Sequence, residues 1–320
     1  MKDGYNRKIN YLRISITDLC NLRCRYCMPE EGVEKLTHKE VLSIEEILEV
    51  AGESVKLGIT KVRITGGEPL VRKGILSLIK GLADIPEIQD IAMTTNGILL
   101  KKYGKALKEA GLNRVNISID SLDPGRYRKI TRGGEISQVL EGIEEAMKVG
   151  LKPIKLNTVI IGDENEEDIQ PLVDLTRKWE IDVRFIELMP IGEASNWSKE
   201  HFLSNEEIYQ RIEGLIPVKR ESGSPATYYR FLDGKGRVGF INPVSNHFCG
   251  DCNRLRLTFD GKLKPCLHSS QEIDLIPALR QGQGSLEELL EFATLQKPEK
   301  HCMDSDEYEI LVRNMSEIGG

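Results

Sequence analysis

Tyr11-Leu-Arg-Ile-Ser-Ile-Thr17 alternates between apolar and polar side chains at every step after the tyrosine. Side chains of a strand point by turns to the two sides of a sheet, so Leu12, Ile14 and Ile16 share one face and Arg13, Ser15 and Thr17 the other. The same split returns downstream. Val62 and Ile64 oppose Lys61, Arg63 and Thr65; Val115, Ile117 and Ile119 oppose Asn116, Ser118 and Asp120; Ile154 and Leu156 oppose Lys155 and Asn157. A parallel sheet covered by helices on both sides reads as continuously apolar strands. Here one face is polar and cationic on strand after strand, which fits a sheet curled around a wet cavity with helices only outside.

Outward from this stretch, strand-like runs at 11–17, 61–65, 88–95, 114–120, 153–160 and 182–188 alternate with helical patterns. One helix opens with a capping box, Ser43 with Glu46, and carries Ile44, Ile47, Leu48, Ala51 and Val55 on one side. Another places Ile136, Val139, Leu140, Ile143 and Met147 at helical spacing. Six β-α repeats in order imply an α/β fold with a parallel sheet, here an open, partial (β/α)6 barrel of the TIM type, short of the full eight strands. Arg13, Lys61, Arg63 and Lys155 converge inside it. Arg184 joins them only if its ambiguous alternation with Ile186 and Leu188 turns it inward.

After about residue 215 the pattern changes, and Glu221-Ser-Gly-Ser-Pro225 reads as a linker. It divides the barrel, residues 1–220, from a smaller α+β domain, residues 221–320, expected to cap the open side. Short strands are expected at 227–232, 237–241 and 255–259, with turns at Asp233-Gly234 and Asp260-Gly261. The terminal Ile318-Gly319-Gly320 taken alone reads as a frayed end.

The 320 residues are 40% hydrophobic and 29% charged, ordinary globular usage that excludes a disordered chain or a small stapled scaffold. The net charge of −6 excludes a broad basic face for nucleic acid, so an anionic ligand has to be held by a local cluster of cations. The opening MKDGYNRKIN is polar where a signal peptide needs an apolar stretch, and no run reaches the ~18 apolar residues of a membrane span. A cytoplasmic protein is expected, with neither nucleic acid nor membrane as partner.

Seven cysteines in such a chain point to metal or redox chemistry rather than to disulfides. Cys20, Cys24 and Cys27 form C-x3-C-x2-C; Cys249, Cys252 and Cys266 form C-x2-C-x13-C; Cys302 stands apart and reads as a packed or partly exposed thiol. Structural zinc takes four ligands, and each triplet offers three thiolates. Soft thiolates suit zinc or iron–sulfur clusters, and a four-iron cluster on three cysteines keeps one iron open. For the second triplet His247 or His268 can complete a Cys3His zinc site, so both metals stay open there.

The first triplet, with Tyr26 before its third cysteine, and Gly66-Gly67-Glu68-Pro69 after the second strand together resemble the radical S-adenosylmethionine enzymes. Tyr11 to Asp18, Arg63 to Leu70, Thr94-Thr-Asn-Gly97, Asn116 to Leu122, Cys249-Gly-Asp-Cys252-Asn-Arg-Leu-Arg256 and the Gly-Gly end narrow the likeness. They resemble the branch of those lyases that cyclises GTP at the entry to molybdenum cofactor biosynthesis. The resemblance implies a [4Fe–4S] cluster on Cys20, Cys24 and Cys27 that chelates S-adenosylmethionine, and a second on Cys249, Cys252 and Cys266 whose open iron faces guanine. It implies that Tyr26, Gly67, Glu68, Thr94, Ser118 and Met189 line the first cofactor. Arg13, Lys61, Arg63, Lys155, Arg184, Arg254 and Arg256 would hold GTP, and Arg13 with the Gly319-Gly320 tail would act at the reacting centre. The implied chemistry removes the 3' hydrogen of GTP by a 5'-deoxyadenosyl radical, joins C3' to C8, and finishes with one electron and one proton. The implied partners are a one-electron reductant of the flavodoxin or ferredoxin type, cyclic pyranopterin monophosphate synthase downstream, and a second copy in a homodimer.

Two other readings compete. A radical peptide-modifying enzyme would carry more cysteines after the barrel and a docking domain before it, and only about ten residues precede the first strand. An electron carrier or a zinc-stabilised nucleotide-binding module explains the thiols but leaves the polar barrel interior and Gly66-Gly67-Glu68-Pro69 without a role.

Overall fold

The computed structural model describes residues 1–220, 223–301, 303 and 313–319; Glu221, Ser222, Cys302 and Gly320 lie outside the described residues. Six strands follow one another as expected: β1 (Tyr11–Ser15), β2 (Lys61–Thr65), β3 (Asp90–Thr95), β4 (Arg114–Ser118), β5 (Ile154–Val159) and β6 (Ile181–Ile186). Between them run α1 (Ile44–Lys56), α2 (Ile75–Ala83), α3 (Leu100–Glu109), α4 (Pro124–Thr131), α5 (Ile136–Lys148) and α6 (Ile169–Lys178). The capping box of α1 forms as read: Ser43 Oγ accepts from Glu46 N at 3.1 Å and the Glu46 carboxylate accepts from Ser43 N at 2.7 Å. Several strands end a residue or two before the alternation does, because the chain leaves the ladder to make the loops that carry function.

β1 to β6 pair in parallel, in sequence order. Their apolar faces pack on the helices, with Leu12, Ile14, Ile16, Val62, Ile64, Val115, Ile117 and Leu156 fully buried in one core with Ile47, Val50, Leu78, Val139 and Ile143. That leaves the other face to the interior of a partial (β/α)6 barrel.

The C-terminal strands do more than cap. β7 (Ile216–Pro217), β8 (Ala226–Arg230) and β9 (Arg237–Ile241) extend the sheet beyond β6, and β10 (Arg254–Leu257), β11 (Lys262–Lys264) and β12 (Ile273–Asp274) extend it beyond β1. β9 runs parallel to β6 and β10 parallel to β1, so eight parallel strands stand in one row with antiparallel strands at both rims. β7, β11 and β12 are too short for periodicity to reveal. Short helices α7 (Asn205–Gln210), α8 (Ile276–Gln281), α9 (Leu286–Leu295) and α10 (Met315–Ile318) complete the described fold. No helix among the described residues is long and apolar enough to cross a membrane.

Candidate active site

The first cysteine loop starts where β1 ends, and the loop after β2 grips it through the backbone. Gly67 N donates to Thr17 O at 2.7 Å and Glu68 N to Leu19 O at 2.8 Å. A Cβ on Gly67 would stand 2.4 Å from the carbonyl oxygens of Asp18 and Leu19, so only glycine permits this approach. Glu68 braces the turn from behind. Its carboxylate, fully buried and pushed up to about 7 by that burial, accepts from Leu70 N at 2.9 Å, Thr95 Oγ1 at 2.8 Å and Asn96 N at 2.7 Å.

A cavity of about 170 Å³ opens over this loop, lined by Cys20, Cys24, Cys27, Tyr26, Gly66, Gly67, Thr94, Ser118, Asp120 and Met189. Of the residues expected around the cofactor, only Glu68 is off the wall. Tyr26 Oη donates to Asp120 Oδ2 at 2.7 Å, which fixes the ring beside the thiols. Burial raises all three thiols, Cys20 to about 11, Cys27 to about 12 and Cys24 well above its ordinary value. Three free thiols turned into one cavity, held neutral until a metal displaces their protons, form a donor set that fits an iron–sulfur cluster.

A second cavity of about 290 Å³ occupies the barrel interior. Arg13, Lys61, Arg63, Lys155, Arg184, Arg254 and Arg256, all seven expected cations, line it, and Arg184 therefore does face inward. The register explains the convergence: Arg13 lies beside Arg63 on β2 and beside Arg256 on β10, and Tyr11 beside Lys61 and Arg254. Burial, then repulsion from neighbouring guanidinium groups, brings Arg256 down to about 10 and drives Arg13 well below its ordinary value. Burial likewise lowers Arg63 to about 10, and its Nε is buried with no hydrogen-bond partner. Asp90, 2.6 Å from Arg114, and Asp182, 2.7 Å from Arg237 and 3.8 Å from Lys155, offset little of this charge. The cavity is built for a polyanion.

Cys249, Cys252 and Cys266 line the same cavity. Burial raises Cys249; burial acts the same way on Cys252, but Lys297 and Arg254 outweigh it and bring that thiol down to about 7. His268 Nδ1 is buried here without a hydrogen-bond partner, and burial, then His301 and Arg256, brings its imidazole down to about 3, so that it stays neutral. Among the described residues no three of His, Cys, Asp and Glu are grouped tightly enough for a single metal ion. Three free thiols spread around a shared cavity fit a cluster whose irons each take one of them.

The two cavities share Asn157, Ile186 and Met189 as walls and so adjoin one another. The tail reaches the same junction. Gly319 O accepts from Arg256 Nη1 at 2.6 Å, and a Cβ on Gly319 would stand 2.3 Å from Thr65 Cγ2, on the wall of the first cavity. The glycine end is therefore docked rather than frayed up to Gly319. Arg114, Asn157 and Lys297 were not among the expected residues. Arg114 was legible, since the alternation of β4 runs back one residue to it; Lys297 was not, since it follows α9 in an aperiodic polar segment.

Comparison with known proteins agrees with this geometry. The Radical SAM superfamily matches residues 14–176 and the family described as Molybdenum Cofactor Synthesis C matches residues 181–303. The chain is similar over its full length, and theirs, to the GTP 3',8-cyclases of Alkaliphilus metalliredigens, at 60% identity, and Alkaliphilus oremlandii, at 61%. It is 52% identical to that of Thermodesulfovibrio yellowstonii, again covering 100% of both chains. In fold it is similar to SuiB of Streptococcus suis bound to its precursor peptide SuiA, with a TM-score of 0.59 and 14% identity over 96% of this chain and 76% of that one. With two thiol triplets opening on joined cavities and these relatives matched end to end, the chain belongs to the GTP 3',8-cyclase family of radical S-adenosylmethionine enzymes.

Proposed function

We propose that the chain converts GTP to (8S)-3',8-cyclo-7,8-dihydroguanosine 5'-triphosphate, the first step of molybdenum cofactor biosynthesis. The observation that carries this is the junction of the two cavities, one with three thiols and a glycine cradle, the other with three thiols and a wall of nine cations, the seven expected ones among them. Cys20, Cys24 and Cys27 would hold one [4Fe–4S] cluster and Cys249, Cys252 and Cys266 the other; with S-adenosylmethionine they supply radical and one-electron chemistry. Tyr26, Gly67, Thr94, Ser118 and Met189 form the cofactor's walls, and Glu68 holds their loop in shape. Arg13, Lys61, Arg63, Lys155, Arg184, Arg254 and Arg256 neutralise the triphosphate, where low dielectric strengthens each contact. Holding the nucleotide at both ends fixes its ribose at the junction and excludes water, which a reactive carbon radical requires. Arg256 also positions Gly319 there, which supports a role for Arg13, Gly319 and Gly320 next to the reacting atoms.

Residues 1–220 are assigned the cofactor side and residues 221–320 the second cluster and the outer substrate wall. Family membership supports a cytoplasmic homodimer that takes electrons from a flavodoxin- or ferredoxin-type donor and passes its product to cyclic pyranopterin monophosphate synthase. The peptide-modifying reading gains only a shared fold from SuiB.

Anaerobic incubation of reconstituted chain with S-adenosylmethionine, GTP and dithionite, followed by chromatography with mass analysis, should yield the cyclised triphosphate. Cys20→Ala should abolish 5'-deoxyadenosine formation; cleavage that continues would remove the assigned site. Arg254→Ala or Arg256→Ala should weaken GTP binding about 10- to 100-fold, the loss of one charge-assisted contact of ~1.5–3 kcal/mol, with the first cluster intact.

A further inference from the structure

Lys297 belongs to no helix or strand, yet it is only 3% exposed. A lysine is almost never buried so deeply unless something holds its charge. Its Nζ donates to the carbonyl oxygens of Arg254 at 3.0 Å and Pro265 at 2.9 Å. Arg254 lies two residues after Cys252, and Pro265 immediately precedes Cys266. The same ammonium lines one cavity with Cys249, Cys252 and Cys266. Among the described residues its hydrogen-bond partners are those two carbonyls, with no carboxylate. An ammonium has three N–H donors. Two of the three are taken by those carbonyls, which holds the ammonium against the segments of Cys252 and Cys266.

Arg7 clamps the next turn of the same segment. Its Nη1 donates to Cys249 O and Glu299 O, both at 2.8 Å, and its Nη2 to Pro298 O at 2.6 Å, while Asp3 accepts from its Nε at 2.6 Å. Residues 297–299 are therefore tied to the backbone beside all three cysteines of the second triplet.

We propose that Lys297 is a positioning residue of the second iron–sulfur site, which fixes the Cys252 and Cys266 segments against each other and raises the reduction potential of the cluster they hold. The inference rests on the reading that Cys249, Cys252 and Cys266 hold a cluster. One-electron reduction adds one negative charge, and cluster potentials follow net charge, so a buried ammonium fixed to the backbone beside the ligand cysteines favours the reduced form.

The test is an anaerobic dithionite titration followed by electron paramagnetic resonance, on full-length chain carrying Cys20→Ala, Cys24→Ala and Cys27→Ala so that only the second site holds iron. About four irons per chain are expected in that background. Lys297→Gln keeps N–H donors for the carbonyls and removes the charge: it should retain the iron, titrate at a lower potential and alter the resonance of the reduced cluster. Lys297→Arg should stay near the native potential, and Lys297→Met, with neither donor nor charge, should lose iron. A Lys297→Gln protein that titrates at the native potential, or shifts no further than Lys297→Arg, overturns the inference. An iron-free background protein would instead remove the second cluster itself, and the inference with it.

Discussion

Lys155 is a cation whose charge the cavity contests. Its Nζ donates to Tyr228 Oη at 3.2 Å and lies 3.8 Å from Asp182, but burial, then Arg184, brings its ammonium down to about 7. A bound triphosphate stabilises the ammonium and raises that value again. The sign follows: below about pH 7 the charge is already present and affinity is full, whereas above it GTP binding has to take up a proton, so affinity falls as pH rises through the bound-state value. Calorimetry between about pH 6.5 and 8.5, in buffers of different ionisation heat, should register uptake of up to about one proton per GTP. Lys155→Arg should flatten the dependence, and Lys155→Met should cost about 10- to 100-fold in affinity at about pH 6.5, a loss of ~1.5–3 kcal/mol. Uptake that persists in Lys155→Arg would assign the proton to another group. Lys155 could be read from sequence because strand alternation is a backbone property that survives without tertiary knowledge. Lys297 could not: its role comes from carbonyls of Arg254 and Pro265, which only folding brings to it.

Among the elements, β9 and β10 carry the consequence that the sequence pattern concealed. Alternation identified β9 and the body of β10 as strands, but periodicity carries no information about which strand a segment pairs with. The linker and the changed spacing after residue 215 therefore read as a separate cap, whereas β10 pairs in parallel with β1 and β9 with β6. The pairing also delivers Arg254 and Arg256, which come into register with Tyr11 and Arg13. A chain ended at residue 220 would leave β1 and β6 as two exposed edges with unpaired N–H and C=O groups, and such edges template aggregation. It should accumulate in the insoluble fraction and, when refolded, elute as large assemblies in size-exclusion chromatography. A monodisperse, cluster-binding fragment would mean that the six-stranded unit is stable alone and that the added strands serve only the substrate.

At the scale of the whole molecule, function depends on two cavities of about 170 and 290 Å³ that share a wall of Asn157, Ile186 and Met189. Neither cavity alone implies the reaction, because the first would suit any radical S-adenosylmethionine enzyme and the second any buried polyanion site. Asn157 is held in place by Arg184, whose Nε donates to its Oδ1 at 3.0 Å, so the shared wall is partly held by the second cavity's own cations. Met189 is the flexible member, packed against Ile191 and Ile318 and thus also against the docked tail. Shortening it should enlarge the junction while both sets of thiols and the lining cations stay in place. Reacting groups must sit within ~3–3.5 Å, and a misplacement of about 1 Å can cost on the order of 100-fold. Met189→Ala should therefore keep iron content and GTP affinity, keep cleaving S-adenosylmethionine, and raise the ratio of 5'-deoxyadenosine to cyclised product above the native value. Chromatographic quantitation of both products from one anaerobic reaction reads that ratio directly; if both fall together in native proportion, Met189 acts in cofactor binding alone and the shared wall does not govern the transfer.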